Sequence, residues 1–261
     1  MSRPLKAEEK SAGEKTLEQK ILELERANQV KKEFLTIMSR ELRTPLNTVM
    51  GYTAMIKEKL LGEINAQQEK ALAKVLSRAN DQLRIIQSVL YASALESGEV
   101  KTENHEISLA DFLDNLRSSY KGPLDKEFKI HWDYPSDLPV VSTDSLKLRQ
   151  ILEHLIENAV RFTAKGRVTL SARYSPGTKT AEFKVADTSI EIPKEVVQAI
   201  SEKSRQMDSS ETILLLYGGV GLGLYIVKKS AAILGGEVRV ESEPGKGSTF
   251  IVTIPGEAVP S

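Results

Sequence analysis

The chain has 261 residues, of which 40% are hydrophobic and 28% are charged, enough apolar material for one or two domains with a buried core. Lysine plus arginine number 36, and aspartate plus glutamate also number 36, so no overall field attracts nucleic acid or an anionic membrane. The lack of cysteine excludes disulfides, thiolate nucleophiles and cysteine-ligated zinc. No apolar run is long enough for a direct membrane span in this chain, and no signal-peptide pattern is present, so we expect a cytoplasmic protein.

The first part of the chain predicts two antiparallel helices. Apolar residues recur at steps of four and three from Leu17 to Leu42, which is the spacing of a coiled-coil seam, although a solvated single helix is the alternative. Residues 60–68 carry turn signals, and a second apolar stripe at helical spacing runs from Leu72 to Leu90. A lone hairpin would leave its apolar face in water, so we expect two copies to form a four-helix bundle, as a homodimer.

The second part of the chain alternates strand patterns with helices, which predicts an α+β domain. Its strand segments are EFKIHWDY, RVTLSARY, AEFKVAD, GEVRVESE and TFIVTIP. Helical patterns cover residues 142–163, which open with capping residues, and residues 221–236, which close with glycine. The order lacks a regular βαβ alternation, which argues against a doubly wound dinucleotide fold.

Several motifs follow one another in a specific order: ELRTPL, LRQILEHLIENAVRFT, VADTSIEI, YGGVGLGLYIVKK and ESEPGKGSTFIVTIP. Together they resemble the core of two-component sensor histidine kinases. The resemblance implies a coiled-coil signalling helix over residues 1–30, a dimerisation and histidine-phosphotransfer hairpin over 31–103, and an ATP-binding domain over 104–258. The expected fold class is α+β, a hairpin forming a dimeric four-helix bundle followed by an α/β sandwich of the histidine kinase, gyrase and chaperone type.

Arg40 stands between Ser39 and Glu41, where this family has its phosphoacceptor histidine. Phosphotransfer to histidine needs a neutral imidazole nitrogen with a lone pair, whereas a guanidinium stays protonated and offers none. The three histidines of the chain all lie outside the first predicted helix: His105, His131 and His154. We therefore expect no autophosphorylation at residue 40.

The resemblance also implies a nucleotide site. Asn158 matches the asparagine that ligates magnesium in this family, and an amide oxygen suits such a hard cation. Arg161 stands where lysine is usual, and Asp187 matches the aspartate that accepts a hydrogen bond from the adenine amino group. His154, one helical turn before Asn158, is interpreted as an ordinary satisfied or exposed side chain. Three glycines open the second helical pattern, where they serve either a tight turn or a phosphate held by backbone amides: Gly219, Gly221 and Gly223.

Other positions depart from the family pattern. Ser189 and Glu191 replace two glycines after Asp187, where a side chain hinders positive φ and close backbone approach. Ser201 and Ser204 replace two phenylalanines that help to pack the ATP lid. We therefore expect binding of ATP and magnesium to be weakened or lost. Several independent replacements favour a natural pseudokinase over a single introduced change.

Two main hypotheses describe the function. The first is a dimeric pseudokinase that binds a response-regulator receiver domain or another histidine kinase. The second is an enzyme, either a receiver phosphatase or a residually active ATP-dependent sensor histidine kinase. Glu41 and Thr44 lie one turn apart on one helical face, where a phosphatase would orient water, but Thr44 could instead serve the backbone before Pro45. An ATPase of the gyrase or chaperone kind is disfavoured by the phosphotransfer-type hairpin ahead of the ATP-binding domain and by the lack of an obvious hydrolytic base near Asn158, where Glu157 is the only candidate.

Overall fold

The structure is a computed structural model that describes the following residues, with side chains from residue 18 onward: 5–120, 130–163, 166–188, 221–243 and 246–259. The chain divides into a helical unit, residues 1–97, and a sheet unit, residues 98–261. Within the described ranges, none of the helices combines the length and the apolar character that crossing a membrane requires.

The helical unit is a hairpin of α1, Leu5–Lys57, and α2, Ala66–Glu96. A reciprocal capping box begins α2, because the Asn65 side chain accepts from the Gln68 amide and the Gln68 side chain accepts from the Asn65 amide, each at 2.9 Å. These bonds satisfy two backbone donors that would otherwise lack helical partners. The predicted helical hairpin is confirmed, with its turn ending at Asn65.

The hairpin buries mostly small residues, together with Leu95, and leaves many larger ones in contact with solvent. Ser39 and Thr53 of α1 and Ala79 and Ala92 of α2 are buried. Several large apolar side chains of α1 are exposed: Ile21, Leu24, Val30, Phe34, Met38 and Leu42. Four of them belong to the predicted apolar seam, Ile21, Leu24, Met38 and Leu42, whereas Leu35 of that seam is half-buried. Exposed apolar area of this kind carries a cost in water.

The sheet unit contains seven strands and three helices among its described residues: β1 His105–Ser108, α3 Leu109–Ser119, β2 Ile130–Asp133, β3 Val140–Thr143, α4 Ser145–Phe162, β4 Val168–Ser175, β5 Thr180–Asp187, α5 Gly221–Ile233, β6 Glu237–Glu243 and β7 Gly247–Pro255. The main sheet has the order β2–β4–β5–β7–β6. In this sheet β2 pairs with β4 in parallel, and the other three strand pairs are antiparallel. β1 and β3 form a separate antiparallel pair.

Helices α4 and α5 complete the second layer of the sheet unit. α4 packs on β4 and β5, α5 packs on β6 and β7, and the two helices pack against each other. α4 repeats apolar residues at helical spacing, and five of them are fully buried: Leu148, Ile151, Leu152, Leu155 and Ile156. The predicted α/β sandwich is confirmed.

Each of the five predicted strand segments overlaps a strand of the main sheet, but β1, α3 and β3 were not predicted. The first predicted helix of this unit also began too early, since residues 142 and 143 belong to β3 and the helix starts at Ser145. The strand β3 is only four residues long, and a single capping residue separates it from the helix. The strand pattern was therefore not distinguishable from the helical pattern that follows it.

That capping residue, Asp144, anchors the start of α4 in a buried cluster. Its Oδ1 accepts from the Leu146 and Lys147 amides at 3.1 and 3.0 Å, and its Oδ2 accepts from the Glu103 amide at 3.0 Å. The Lys147 ammonium lies 2.6 Å from Asp144 Oδ2 and also donates to the Lys101 carbonyl at 2.7 Å. Burial alone would raise the pKa of Asp144, but these hydrogen bonds and the Lys147 charge lower it below its ordinary value.

Replacing Asp144 with alanine is expected to destabilise the sheet unit by about 3 kcal/mol, because it removes a helix cap and leaves the buried Lys147 charge without its carboxylate. The single tryptophan, Trp132, lies in β2, so urea unfolding followed by its fluorescence measures this loss. Asp111→Ala is the matched control, since Asp111 is exposed in the first turn of α3.

The same experiment has a pH dependence of known sign. The pKa of Asp144 is lowered in the folded state, so its contribution is complete above the unfolded value of about 3.9 and declines as the pH falls below it. The stability difference between the wild type and Asp144→Ala should therefore be largest near neutral pH. A difference that grows on acidification would contradict the assigned role of the carboxylate.

Candidate functional site

Asn158 is the buried polar residue that marks the candidate site. It lies on α4 and is only 8% exposed, and its Nδ2 has no hydrogen-bond partner among the described residues. Leaving a buried amide unsatisfied costs roughly 1 to 3 kcal/mol. A group that carries such a cost within an otherwise well-packed helix is a candidate for binding a ligand.

His154 lies one helical turn before Asn158 and is half-buried. Burial lowers the pKa of His154 below its usual value, and the nearby Glu157 carboxylate opposes this effect. The lowered pKa favours a neutral imidazole at neutral pH, with one ring nitrogen available as an acceptor.

Gly223, in the first turn of α5, brings the two helices together at this point. A Cβ atom on Gly223 would lie 3.6 Å from Asn158 Nδ2, 3.7 Å from His154 Nδ1 and 3.9 Å from Asn158 Oδ1. Both polar side chains therefore contact the position that a side chain on Gly223 would occupy. Gly221 begins the same helix, whereas Gly219 lies outside the described residues.

Asp187 lies at the end of β5, is buried, and pairs in register with Val168 and Ser248. Gly247 packs against its backbone with φ of +99°, and a Cβ there would approach the Asp187 carbonyl to 1.9 Å, so only glycine fits. This close packing fixes the end of β5 from which the carboxylate projects.

The ends of α4 and β5 lie side by side. A Cβ on Gly166 would lie 1.9 Å from Thr188 Oγ1 and 3.8 Å from Thr163 Cγ2, and these threonines directly follow β5 and α4. Asn158 and Asp187 are therefore carried to the same end of the sandwich. Arg161 occupies the last turn of α4 and is exposed.

Four of the replaced positions considered in the sequence analysis lie outside the described residues: Ser189, Glu191, Ser201 and Ser204. The predicted effect of these side chains on nucleotide binding therefore stays a prediction. The described part of the site consists of α4, the start of α5 and the end of β5.

In the helical unit, Arg40, Glu41 and Thr44 are all exposed on α1. The Thr44 hydroxyl donates to the Arg40 carbonyl at 3.1 Å, and the Thr48 hydroxyl donates to the Thr44 carbonyl at 3.1 Å. α1 continues through Pro45 without interruption. Thr44 thus has the backbone contact that was the alternative to a phosphatase role, while its oxygen retains the capacity to accept a hydrogen bond.

His154 is the residue whose surroundings the sequence analysis missed. Its spacing of four residues from Asn158 placed both on one helical face, and that was the available signal. Periodicity along one helix does not say which neighbouring element covers the face. The contact with Gly223, 69 residues further along the chain, depends on how α4 packs against α5.

Comparisons with known proteins match both units of this structure. The family model described as "His Kinase A (phospho-acceptor) domain" matches residues 30–98. The model described as "Histidine kinase-, DNA gyrase B-, and HSP90-like ATPase" matches residues 143–258. The fold and the site therefore define a helical phosphoacceptor-type domain followed by a domain of this ATPase class.

Curated relatives show the same combination. The chain is 34% identical over 243 residues to the autoinducer 2 sensor kinase/phosphatase LuxQ of Vibrio vulnificus, covering 90% of this chain and 28% of that protein. It is 34% identical to the aerobic respiration control sensor protein ArcB of Escherichia coli, covering 90% of this chain and 30% of that protein. Thus the chain spans less than a third of the length of these relatives. It is a homologue of sensor histidine kinases.

Solved structures agree with this assignment. The structure of full-length ShkA in complex with AMPPNP matches with a TM-score of 0.64 and 29% identity, covering 88% of this chain and 47% of that one. The Acinetobacter baumannii histidine kinase AdeS matches with a TM-score of 0.53 and 19% identity, covering 82% and 96% of the two chains. The second similarity shows the fold alone.

Replacing Gly223 with alanine is expected to leave the sheet unit as stable as the wild type or to stabilise it by about 0.5 kcal/mol. The added methyl group would make only ordinary contacts of 3.6 Å or longer, and alanine is the better helix former. The measurement is urea unfolding followed by the fluorescence of Trp132.

Gly236→Ala is the matched control for this substitution. A Cβ on Gly236 would lie 2.2 Å from the Thr253 carbonyl oxygen, so the backbone must shift at a cost of about 1 to 3 kcal/mol. Destabilisation by Gly223→Ala as large as that by Gly236→Ala would contradict the ordinary contact distances described for Gly223.

Proposed function

We propose that this chain is the core of a histidine-kinase-like signalling module that does not phosphorylate itself at residue 40. It acts by dimerising and by binding a response-regulator receiver domain or another histidine kinase. The observation that carries the proposal is Arg40, which is exposed on α1 within the domain of the phosphoacceptor type. A permanently protonated guanidinium has no lone pair with which to attack a phosphorus atom.

The proposed homodimer is supported by the apolar side chains of α1 that one copy leaves exposed, Phe34, Met38 and Leu42 among them. A phosphoacceptor-type helical domain also favours pairing between copies. A second hairpin would bury these side chains in a four-helix bundle, with a gain of roughly 25 cal/mol for each square ångström of apolar surface removed from water.

The proposed binding of a receiver is supported by charge. Arg40 and Arg43 are exposed on α1. Arg40 occupies the proposed phosphoacceptor position, and Arg43 lies one turn further along the helix. The phosphorylation site of a receiver domain is acidic, and a guanidinium can bind a carboxylate through two parallel hydrogen bonds. Arg40 would then hold the partner instead of exchanging phosphate with it.

Nucleotide binding is the second part of the proposal. Asn158 would hold magnesium through its amide oxygen, the backbone at Gly221 and Gly223 would approach the phosphates, and Asp187 would accept from the adenine amino group. The buried Asn158 Nδ2, which has no hydrogen-bond partner among the described residues, supports an acceptor such as a phosphate oxygen beside it. Magnesium, when bound, supplies positive charge that neutralises the phosphates. Without an acceptor at residue 40, the nucleotide would act as a ligand that orders the pocket.

Phosphatase activity toward a receiver is the alternative function. It is favoured by the exposure of Glu41 and Thr44 on α1. Loss of phosphate from a phosphorylated receiver in the presence of the wild type, but not of Thr44→Ala, would establish it. A residually active kinase would require an acceptor other than residue 40.

The binding proposal predicts that Arg40→Glu weakens a receiver complex at least about tenfold, because a carboxylate replaces the cation that faces the acidic site. The measurement is calorimetric titration of the dimer with purified receiver domains from the same organism. Arg26→Glu makes the same change of charge on α1, about 21 Å away along the helix, and should leave the affinity unchanged.

Equal affinity for the wild type and Arg40→Glu, in a receiver that does bind, would exclude Arg40 from the interface. If Arg40→Glu and Arg26→Glu weaken binding to the same extent, the effect comes from the overall charge of the hairpin and not from a contact made by residue 40.

A further inference from the structure

We propose that Asp144 and Lys147 form a clasp on the segment that joins the two units, and that this clasp confines the hinge between the units to residues 98–100. The joining segment is residues 97–104, which run from the end of α2 to the start of β1. The proposal goes beyond the function proposed above, because it requires neither a nucleotide nor a partner protein. It concerns how a movement of the hairpin would reach α4.

The upstream end of the joining segment is fastened to α2. Ser97 caps the end of this helix, and its amide donates to the Ser93 carbonyl at 3.1 Å. The Ser97 hydroxyl donates to the Ala94 carbonyl, also at 3.1 Å. Because both hydrogen bonds end on the last turn of α2, Ser97 should move with the hairpin.

The downstream end of the joining segment is fastened to the start of α4. The Lys147 ammonium donates to the Lys101 carbonyl at 2.7 Å, and the Glu103 amide donates to Asp144 Oδ2 at 3.0 Å. Asp144 and Lys147 are both buried, and their charged groups lie 2.6 Å apart. Each side chain therefore holds the other in place for its own hydrogen bond to the joining segment. Hydrogen bonds in which one partner is ionised are roughly twice as strong as those between neutral groups.

Only Gly98, Glu99 and Val100 lie between these two attachments. Gly98 has φ of +68°, in the left-handed region, and no described atom beyond its chain neighbours lies within 4 Å of the position that a Cβ would take there. Glycine moves between backbone regions at little cost, because it has no Cβ to restrict φ. Large changes of φ and ψ at a few such residues are how a hinge works, so we place the hinge at these three residues.

The clasp determines where a movement of the hairpin would act. Without it, the joining segment would be unattached as far as β1, and the freedom of a chain segment grows with its length. With it, a displacement of Ser97 is carried across residues 98–100 to a buried attachment on the first turn of α4. The same helix carries Asn158, so the clasp links the joining segment to the helix of the candidate site.

The test variant combines Asp144→Asn with Lys147→Met. Asparagine caps a helix as well as aspartate does, and its single oxygen can still accept from the first amides of α4. Its Nδ2 is a donor and cannot accept from the Glu103 amide, and the Lys147→Met change removes the ammonium that holds the Lys101 carbonyl. Because both members of the buried ion pair are replaced, no buried charge is left without its partner, and the variant should fold.

The matched control combines Glu182→Gln with Lys184→Met. It makes the same chemical changes to a half-exposed ion pair on β5, whose charged groups lie 3.1 Å apart. Neither residue belongs to the joining segment or to α4, and the net charge is unchanged in both variants. The control therefore accounts for effects of losing an ion pair that do not involve the clasp.

The first measurement is amide hydrogen exchange of the full chain, resolved to single residues by mass spectrometry. In the wild type the Glu103 amide should be protected. The amide of Val252, which is fully buried in β7, reports unfolding of the whole sheet unit. The ratio of protection at Glu103 to protection at Val252 should fall at least about tenfold in the test variant and stay the same in the control.

The second measurement is the distribution of distances between two spin labels, one at Gln87→Cys on α2 and one at Glu241→Cys on β6. Both side chains are exposed, and the chain has no cysteine of its own. An excess of unlabelled chain leaves one labelled copy in each dimer. The distribution should be broader in the test variant than in the wild type and the control, because release of the clasp lengthens the hinge.

Three results would overturn the proposal. If the Glu103 amide of the wild type exchanges as fast as an unstructured amide, the clasp does not hold, whatever the variants do. If the ratio of protection is the same in the test variant as in the wild type, Asp144 and Lys147 serve only as a helix cap and an ion pair. If protection at Glu103 falls but the distance distribution is not broader, the clasp does not confine the hinge.

Discussion

The buried contact between Asp144 and Lys147 fixes the start of α4, and the candidate site depends on where that helix begins. From this anchor the helix runs through the core, with its apolar side chains packed on β4, β5 and α5. Asn158 lies 14 residues beyond Asp144, about 21 Å along the axis. A change of register at the start of α4 would rotate His154 and Asn158 away from Gly223, because each residue advances a helix by about 100°.

The balance of forces along α4 explains why polar groups are tolerated in its buried face. Five fully buried aliphatic side chains hold the helix on the sheet, and each contributes roughly 1.5 to 3 kcal/mol of transfer free energy. That gain exceeds the cost of one unsatisfied amide at Asn158. The core can therefore hold the unsatisfied amide of Asn158 in place, as preorganised binding of a ligand would require.

Long periodic elements were predictable from the sequence, whereas short elements and tertiary neighbours were not. The stripes of α2 and α4 extend over several turns, so their period is unambiguous. β1 and β3 have four residues each, too few for an alternation to stand out from the adjoining helices. The proposed roles of Asn158 and Asp187 come from the motifs around them and stay predictions. The convergence of His154 on Gly223 arises from helix packing, and no local pattern encodes it.

Binding and phosphotransfer make separate demands on a protein of this class. The proposed nucleotide binding would use the amide of Asn158 and the carboxylate of Asp187, both of which are buried in the sheet unit. Transfer would need a nucleophile as well, and Arg40 is a cation at the position proposed for the acceptor. On the function proposed above, a chain without the nucleophile would keep a dimer interface and a nucleotide pocket as parts of a binding module.

The most direct measurement of the central claim is the incorporation of phosphate from radiolabelled ATP into the purified chain. An active sensor histidine kinase, assayed alongside under the same conditions with Mg²⁺ or Mn²⁺, is the positive control. Intact-mass analysis and peptide mapping locate any label. The account predicts that the wild type stays unlabelled with either metal. Stoichiometric phosphate on the wild-type chain, whether on α1 or on one of its histidines, would contradict it.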